Sequence, residues 1–522
     1  MPDIVAMVFV VRFRRRRCAR LRALGAAAAA LFLAGCAVGP DFVSPPAPSV
    51  TGYTPEPLKS PRADSDGPRV PQQHFASNTD ISTRWWAAFR SVPLNDLIRL
   101  SVEHNPSLQS AEAAIKVANF NALAQRGLFF PQIGANYTAS DQQLSNAANS
   151  GGPSAYALHT AQLNISFVPD IWGQNARAVE SLDAATEQAH FQLEAAYLAL
   201  TANVVTAAIQ EASLRGQIEA TERIVKIERD ILGILRSQFT AGQAAQVDVL
   251  TQETALAQAE QTLPPLQKQL AIQRDLLTAL AGQFSADEVL QKFELRHLTL
   301  PTNLPVSLPS TLVAQRPDVR AAEANLHSAS ALVGVAIAAR LPNLTLSGNP
   351  GSSATTLGQL FTPGTLFYTV AGSASATLFD GLTLYHKQKA AEAALDQAGA
   401  LYRQAVITAL QNVADALRSL QADARAVQAA IKAETAAKAT LEIVQKQLVL
   451  GQINQVTVLN AQQAYLNAAI ARVQAQAARL SDTAALFMAL GGGWPSQCTT
   501  AIWRDCAMPD APASAVRVSE AK

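Results

Sequence analysis

The sequence predicts a mainly α-helical chain that carries four short membrane-type β-strands and is built as two internal repeats. Three observations predict this. Long alanine-rich stretches lack proline and space their apolar residues in heptads. Four segments alternate apolar with polar residues. Marker residues recur in the same order about 210 positions apart.

At the start, Arg12, Arg14, Arg15, Arg16, Arg17, Arg20 and Arg22 precede the apolar run Ala23–Leu33 and the tetrad Leu33-Ala34-Gly35-Cys36. A basic region, a short apolar core and small residues at a cleavage point make a secretory signal. The core is too short for a membrane span, which needs about 20 residues. The tetrad looks like a bacterial lipobox. Residues 1–35 therefore read as a lipoprotein-type signal peptide, with Cys36 as the lipidated first residue of the mature chain. A plain signal peptide with an incidental cysteine is the alternative. Ala37, rather than aspartate, follows, and by resemblance to sorted lipoproteins this favours the outer membrane. Met7 is a second candidate start. Acyl chains add about 0.8 kcal/mol of membrane affinity per buried CH₂, which anchors a protein without giving it a task.

After a lipidated extended segment, 36–92, the repeats are expected at 93–300 and 301–492, with a tail at 493–522. Pro106, Ala111 and Glu112 recur as Pro317, Ala322 and Glu323. Phe130-Pro131-Gln132-Ile133 recurs as Leu341-Pro342-Asn343-Leu344, and Asp170 as Asp380. Gly242, Val249 and Leu250 recur as Gly451, Val458 and Leu459. Each repeat reads as helix, strand, loop, strand, long helix, tight turn, long helix.

In the first repeat Ile133, Ala135, Tyr137 and Ala139 alternate with Asn136, Thr138 and Ser140. Ala161, Leu163, Ile165 and Phe167 alternate with Gln162, Asn164 and Ser166. In the second, Leu344 and Leu346 open one strand, and Tyr368, Val370, Gly372, Ala374, Ala376 and Leu378 alternate with Thr369, Ser373, Ser375 and Thr377. Such segments, joined by the Gly/Ser/Asn/Pro-rich loops Ser145–Ser154 and Gly348–Gly364, match transmembrane strands. Taken alone they match a half-buried soluble sheet equally well.

The helices carry seams. Val406, Leu410, Val413, Leu417, Leu420, Ala424, Val427 and Ile431 step by four and three. Leu459, Leu466, Ile470, Val473, Ala477, Leu480, Ala484 and Phe487 form the return seam, and Leu193, Ala196, Leu200, Val204 and Ala207 a looser one. Asn175–Arg236 lacks proline, so about 60 residues at 1.5 Å each make a rod of roughly 90 Å.

A strand in lipid needs every backbone group paired, so its sheet must close. Four strands are fewer than the roughly eight of the smallest bacterial barrels. Two chains would make eight strands, a barrel filled by side chains. Three would make twelve and leave a lumen. The long helices, lacking a second apolar span, would project into the periplasm as an α-helical barrel.

Composition excludes other classes. The +1 formal charge loses seven arginines and one aspartate with residues 1–35 and becomes −5, which argues against a nucleic-acid partner. Charged residues are 16%, against about 25% in soluble proteins. Cys498 and Cys506 remain in an oxidising compartment, where a disulfide closing a small loop is expected and two free thiols are the alternative. His74, His104, His159, His190, His297, His327 and His386 form no metal-ligand spacing. No phosphate loop or nucleophile elbow occurs. Neither cofactor nor catalytic activity is expected. In Arg316-Pro317-Asp318 the proline suits a helix start and the aspartate its first turn.

Several motifs occur in order: Cys36-Ala37-Val38-Gly39-Pro40-Asp41-Phe42, Trp85-Trp86 with Phe89, Val168-Pro169-Asp170-Ile171-Trp172-Gly173, Leu263-Pro264-Pro265-Leu266, Leu308-Pro309-Ser310, Arg316-Pro317-Asp318-Val319 with Ala322-Glu323, and Leu490-Gly491-Gly492-Gly493-Trp494. With these the chain resembles the TolC/OprM superfamily, specifically the NodT-type outer-membrane lipoproteins of resistance-nodulation-division (RND) efflux systems, from about Cys36 to Trp494. The resemblance implies a homotrimer with a twelve-strand barrel and a periplasmic α-barrel. It implies as partners a periplasmic adaptor protein, an inner-membrane RND transporter and outer-membrane lipid. The adaptor-facing tips would be Gly242-Gln243-Ala244-Ala245 and Gly451-Gln452-Ile453-Asn454. Many relatives place an aspartate just past the second tip, where three copies ring the closed end. Here that position is Asn460 and its neighbour Thr457, while the first tip keeps Asp248, so a weaker cation preference is expected. The leading expectation is a passive exit duct for small molecules. The alternatives are the duct of an ATP-driven (type I) protein secretion system and a pore-less coiled-coil envelope spacer.

Overall fold

The structure, a computed structural model, describes residues 37–50, 52–56, 60, 70–77, 81–144 and 154–492. The expected signal peptide, Cys36, most of the loop Ser145–Ser154, and the tail with Cys498 and Cys506 lie outside the described residues.

The elements run β1 His74–Ser77, α1 Val92–His104, α2 Pro106–Arg126, β2 Gln132–Leu144, β3 Ser154–Phe167, α3 Gln174–Thr240, α4 Gln246–Gln261 and α5 Leu263–Leu280. They continue with β4 Asn303–Val306, α6 Pro309–Gln315, α7 Pro317–Ala338, β5 Asn343–Gly348, β6 Gly351–Ala354, β7 Leu366–Phe367, β8 Val370–Ser375, α8 Thr383–Val449 and α9 Gln455–Ala489. The chain divides into two compact units. One takes Met1–Pro45, Ile115–Gln188 and Ala322–Tyr402; the other takes Pro46–Ala114, Ala189–Ala321 and Arg403–Lys522. Each unit thus draws on both halves of the sequence.

The first unit holds the sheet. β2 and β3 form a long antiparallel hairpin in which Ile133 faces Ile165, Ala135 faces Leu163 and Tyr137 faces Ala161. Directly opposed residues share a face. The apolar series of both strands therefore lies on one side, and Asn136 with Gln162 and Thr138 with Thr160 on the other. β3 continues into β5 and β6, which pair in turn with β8 and β7.

The second repeat was expected to supply two strands joined by the loop Gly348–Gly364; the structure places β6, Gly351–Ala354, inside that loop and parts the last strand into β7 and β8 at Tyr368 and Thr369. Pro350 has no N–H to give and only accepts, from Leu163 N at 2.9 Å, while Asn349 and Thr369 exchange bonds of 2.8 and 3.3 Å across the gap. The last strand also stops at Ser375, so Ala376 and Leu378, expected within it, lie beyond its end. The Asp170 and Asp380 markers have a shared task at helix starts. Asp170 accepts from Asn175 N and Ala176 N at 3.0 and 2.7 Å, and Asp380 accepts from Leu384 N at 2.8 Å.

The second unit is helical, with one small parallel pairing of β1 and β4. Trp85, 2% exposed, stacks on Phe487 at 5.4 Å and meets Trp86 edge-on at 6.0 Å. The α8 seam is buried as spaced: Val413, Leu417, Leu420 and Ala424 are all 0% exposed. In α9 the seam begins one residue earlier than read, because Val458 is fully buried while Leu459 is only half-buried. α3 and α8 each run 67 residues, so the proline-free stretch extends past Arg236 to Thr240. The first return helix, expected to be single, breaks between α4 and α5, where Pro264 and Pro265 enter the first turn of α5.

Candidate functional site

Two tight turns in the helical unit bring together all the tip residues. After α3, Gly242 adopts φ +73°, with Gly242 N bonded to Phe239 O at 2.9 Å and Gln243 N to Gln238 O at 2.8 Å. After α8, Gly451 repeats this at φ +70°, bonding Leu448 O at 2.9 Å while Gln452 N bonds Gln447 O at 3.0 Å. Nothing lies within 4 Å of a Cβ built on either glycine. The backbone angle, not space, demands glycine here.

The next helices begin by two solutions to one problem. Asn454 accepts from Thr457 N at 3.1 Å and from Thr457 Oγ1 at 2.8 Å. Ala245 has no acceptor side chain, and Asp248 instead reaches back to accept from Ala245 N at 3.3 Å. Asp248, read as a gate residue, is thus half-buried and engaged in capping. Thr457 and Asn460 are exposed.

Both turns sit on one apolar cluster. Ile231, Leu232 and Leu235 of α3, Val249 of α4, Leu441 and Val444 of α8, and Val458 of α9 pack together, with Ile453 of the second tip against them. A polar layer, missed in the sequence, crosses this bundle. Glu228 of α3, Gln252 of α4 and Gln455 of α9 are 4%, 0% and 5% exposed. Gln455 donates to Gln252, which donates to the Glu228 carboxylate and, at 3.1 Å, to its backbone oxygen. Burial raises the Glu228 pKa, and the Gln252 bond opposes the rise. The available signal was Gln252 itself, which occupies an apolar-stripe position between Val249 and Leu256. A polar residue in a seam fixes the register of neighbouring helices at a cost in stability.

Further along, burial first and then the neighbouring Asp482 raise the Asp423 pKa to about 7, against the pull of Arg479. The native state keeps this proton over the window from about pH 4 to 7, where the unfolded chain has released it. Stability therefore falls as pH rises through that window. Asp423→Asn should raise the melting temperature at pH 8 and leave it nearly unchanged at pH 4, measured on the detergent-extracted protein. Equal shifts at both pH values would show that the titration is not the cause.

In the sheet unit, Ile133, Tyr137, Leu163, Leu346, Leu366, Tyr368 and Val370 are exposed large apolar residues. Among the described residues, β2 pairs only with β3, β7 only with β6 and β8 only with β5, so the sheet has two open edges. Among the described residues no group of His, Cys, Asp and Glu is arranged to hold a metal ion.

The sequence matches the family model described as "Outer membrane efflux protein" over residues 97–283 and 308–492. The pyoverdine export outer membrane protein OpmQ of Pseudomonas putida is 27% identical over 423 residues, covering 80% of this chain and 89% of that protein. The probable efflux pump outer membrane protein TtgC of Pseudomonas putida is 26% identical over 480 residues, covering 91% and 96%. Among solved structures, the outer-membrane channel OprN superposes with a TM-score of 0.79 at 25% identity, covering 88% of this chain and all of that one.

Proposed function

The chain belongs to the outer membrane efflux protein family, and from that premise we propose that it is the outer-membrane exit duct of a tripartite efflux pump. It conducts small molecules passively from a periplasmic adaptor and an inner-membrane RND transporter to the outside. The observation that carries this reading is the two-faced sheet with open edges. Its exposed apolar face suits lipid, its Gln/Asn/Thr/Ser face suits a watery lumen, and its unpaired edges are untenable in a bilayer unless other subunits complete the ring. A homotrimer with twelve strands satisfies those edges and leaves a lumen. Relatives named for pyoverdine export and efflux support small-molecule cargo. Family and fold are those of channels rather than enzymes.

On this reading Cys36 is lipidated in the outer membrane. The α-barrel lies in the periplasm, and the turns Gly242–Ala245 and Gly451–Asn454 are the surface offered to the adaptor. Their common seat on one cluster supports joint presentation. Asp248, Thr457 and Asn460 stand nearest the periplasmic gate, with Asp248 committed to its cap. The test is the purified protein in planar bilayers, which should run as a trimer and conduct ions. A stable monomer without conductance overturns the reading. In the same assay Asn460→Asp should raise the cation-to-anion permeability ratio about twofold or more, since three copies add three negative charges to the constriction. An unchanged ratio removes Asn460 from the gate.

A further inference from the structure

The helical unit holds a cavity of about 1110 Å³ that plays no part in the tips or the sheet. It lies among α3, α5, α8 and α9 and the segment before β4. Val427 of α8 and Val473 and Leu480 of α9 form an apolar wall, each 5% exposed or less. Arg479 of α9 stands beside them in the lining and is itself only 3% exposed.

The guanidinium of Arg479 has more N–H donors than its neighbours use. Nε donates to Gln73 Oε1 at 3.1 Å and Nη2 to Pro71 O at 2.8 Å. Gln73, 0% exposed, is held in turn by its own bonds of 3.0 Å to Pro301 O and to Thr483 Oγ1. The fork is therefore fixed in place, yet both of its acceptors are neutral. Nη1 has no acceptor among the described residues, and it is not sealed in: the little surface left to Arg479 opens into the cavity that it lines.

Buried charges are normally paired. The other lining arginines follow that rule: Arg215 pairs with Glu211, Arg223 with Glu219, Arg296 with Glu294 and Arg472 with Glu434. Arg479 has no ion pair among the described residues. Asp423 acts on it through space, but burial and then Asp482 raise the Asp423 pKa to about 7, so this acid carries little charge below neutral pH. Burial accordingly lowers the Arg479 pKa, against the pull of Asp423. The cavity wall thus carries one desolvated, uncompensated cation with free donors.

We propose that the cavity binds an amphiphilic organic carboxylate, its head on the free N–H groups of Arg479 and its apolar body along Val427, Val473 and Leu480. One uncompensated cation calls for one negative charge, and Glu222, exposed on the lining, repels a second. The volume suits an organic molecule rather than a bare inorganic anion, since ligand cavities run about 300–1,000 Å³ with mainly apolar walls. An arginine–carboxylate bond at a desolvated wall is charge-assisted and directional. Occupancy of this site and conduction through the duct are separate properties, and each can fail alone.

The probe is para-benzoylbenzoate, a carboxylate that cross-links to nearby C–H bonds in light. It is applied to the full-length protein in lipid nanodiscs, and labelled peptides are mapped by mass spectrometry. Label should saturate and concentrate on the peptides of Val427, Val473 and Leu480. The uncharged para-benzoylbenzamide should label them at least about tenfold less, the factor expected for one bond from a charged donor. Arg479→Gln should cut carboxylate labelling about tenfold or more and leave amide labelling unchanged. Because Arg479 also holds Gln73 and Pro71, a second variant keeps its charge. Leu270→Trp, at a half-buried lining position of α5, fills the cavity and should cut labelling by both probes at least about fivefold. Equal labelling by acid and amide, label spread along the chain, or Leu270→Trp labelled like the parent overturns the proposal. So does an unlabelled parent, the result expected if another subunit covers the cavity. A protein that conducts without taking label strikes this site alone and leaves the duct reading standing.

Discussion

Leu163→Arg should abolish the conducting assembly in the outer membrane. Leu163 lies opposite Ala135 on the apolar face, near the centre of the ten residues that end at Phe167. An arginine on the lipid face at the bilayer midplane costs about 2–4 kcal/mol. In a trimer the charge appears three times, so the penalty is roughly 6–12 kcal/mol, comparable to the whole stability of an ordinary domain at about 5–15 kcal/mol. The neighbouring Gln162→Arg is the matched control. It points to the other face, where a charge remains in water. That variant should assemble normally and shift selectivity toward anions. Outer-membrane fractionation, the oligomer band on unheated gels and bilayer conductance read both. If Leu163→Arg assembles and Gln162→Arg does not, the two faces are assigned the wrong way round.

The faces of β2 and β3 are legible in the sequence because a period of two leaves a strand little freedom. A slip of one residue would turn Ile133, Ala135 and Tyr137 inward together. The α8 seam is legible for the same kind of reason at a period of 3.5. What periodicity cannot convey is interruption. Gly348–Gly364 reads as an unbroken loop because Gly, Ser, Asn and Pro crowd it, and only the pairing of Gly351–Ala354 with β3 reveals the strand that interrupts it. Nor does repetition reveal mechanism. Asp170 and Asp380 stand out as markers, but that they cap helices is known only from which N–H groups they meet. Asp248 makes the point most sharply: its place beside a tip is plain in the sequence, while the bond that one of its carboxylate oxygens accepts from Ala245 N is seen only in the fold. The contact of the N-terminal segment with α3 was hidden too: Asp41 accepts a hydrogen bond from Arg177, 136 positions away, and no local pattern links them.

Arg316→Ala should be among the most destabilising single changes in the helical unit. Pro317 and Asp318 open α7 as the spacing suggests. The arginine before them does something local reading misses. Its side chain, 9% exposed, forks onto Asp318 at 2.9 and 2.6 Å and also donates to Ala489 O at 2.7 Å and Ala409 O at 3.5 Å. Ala489 is the last residue of α9, where carbonyls have no partner within the helix and a positive charge is favoured. One guanidinium therefore closes α9 while touching α8. Hydrogen bonds from a charged donor are worth about 1.5–3 kcal/mol each, and a buried acceptor stripped of its donor adds its desolvation cost. Loss of the side chain should cost about 2–4 kcal/mol on that scale. Arg316→Lys should recover only part, because an ammonium cannot serve the fork and both carbonyls together. Asp318→Ala should cost about 1 kcal/mol or less, since that carboxylate is 44% exposed and water replaces much of the pairing. Thermal melts of the three variants under one detergent and pH decide the order. A melt in which Asp318→Ala equals Arg316→Ala would place the stabilisation in the ion pair rather than in the closure of α9. In cells the expected order of outer-membrane abundance, and so of export, is parent, Asp318→Ala, Arg316→Lys, Arg316→Ala, because each kilocalorie lost enlarges the unfolded fraction offered to proteases.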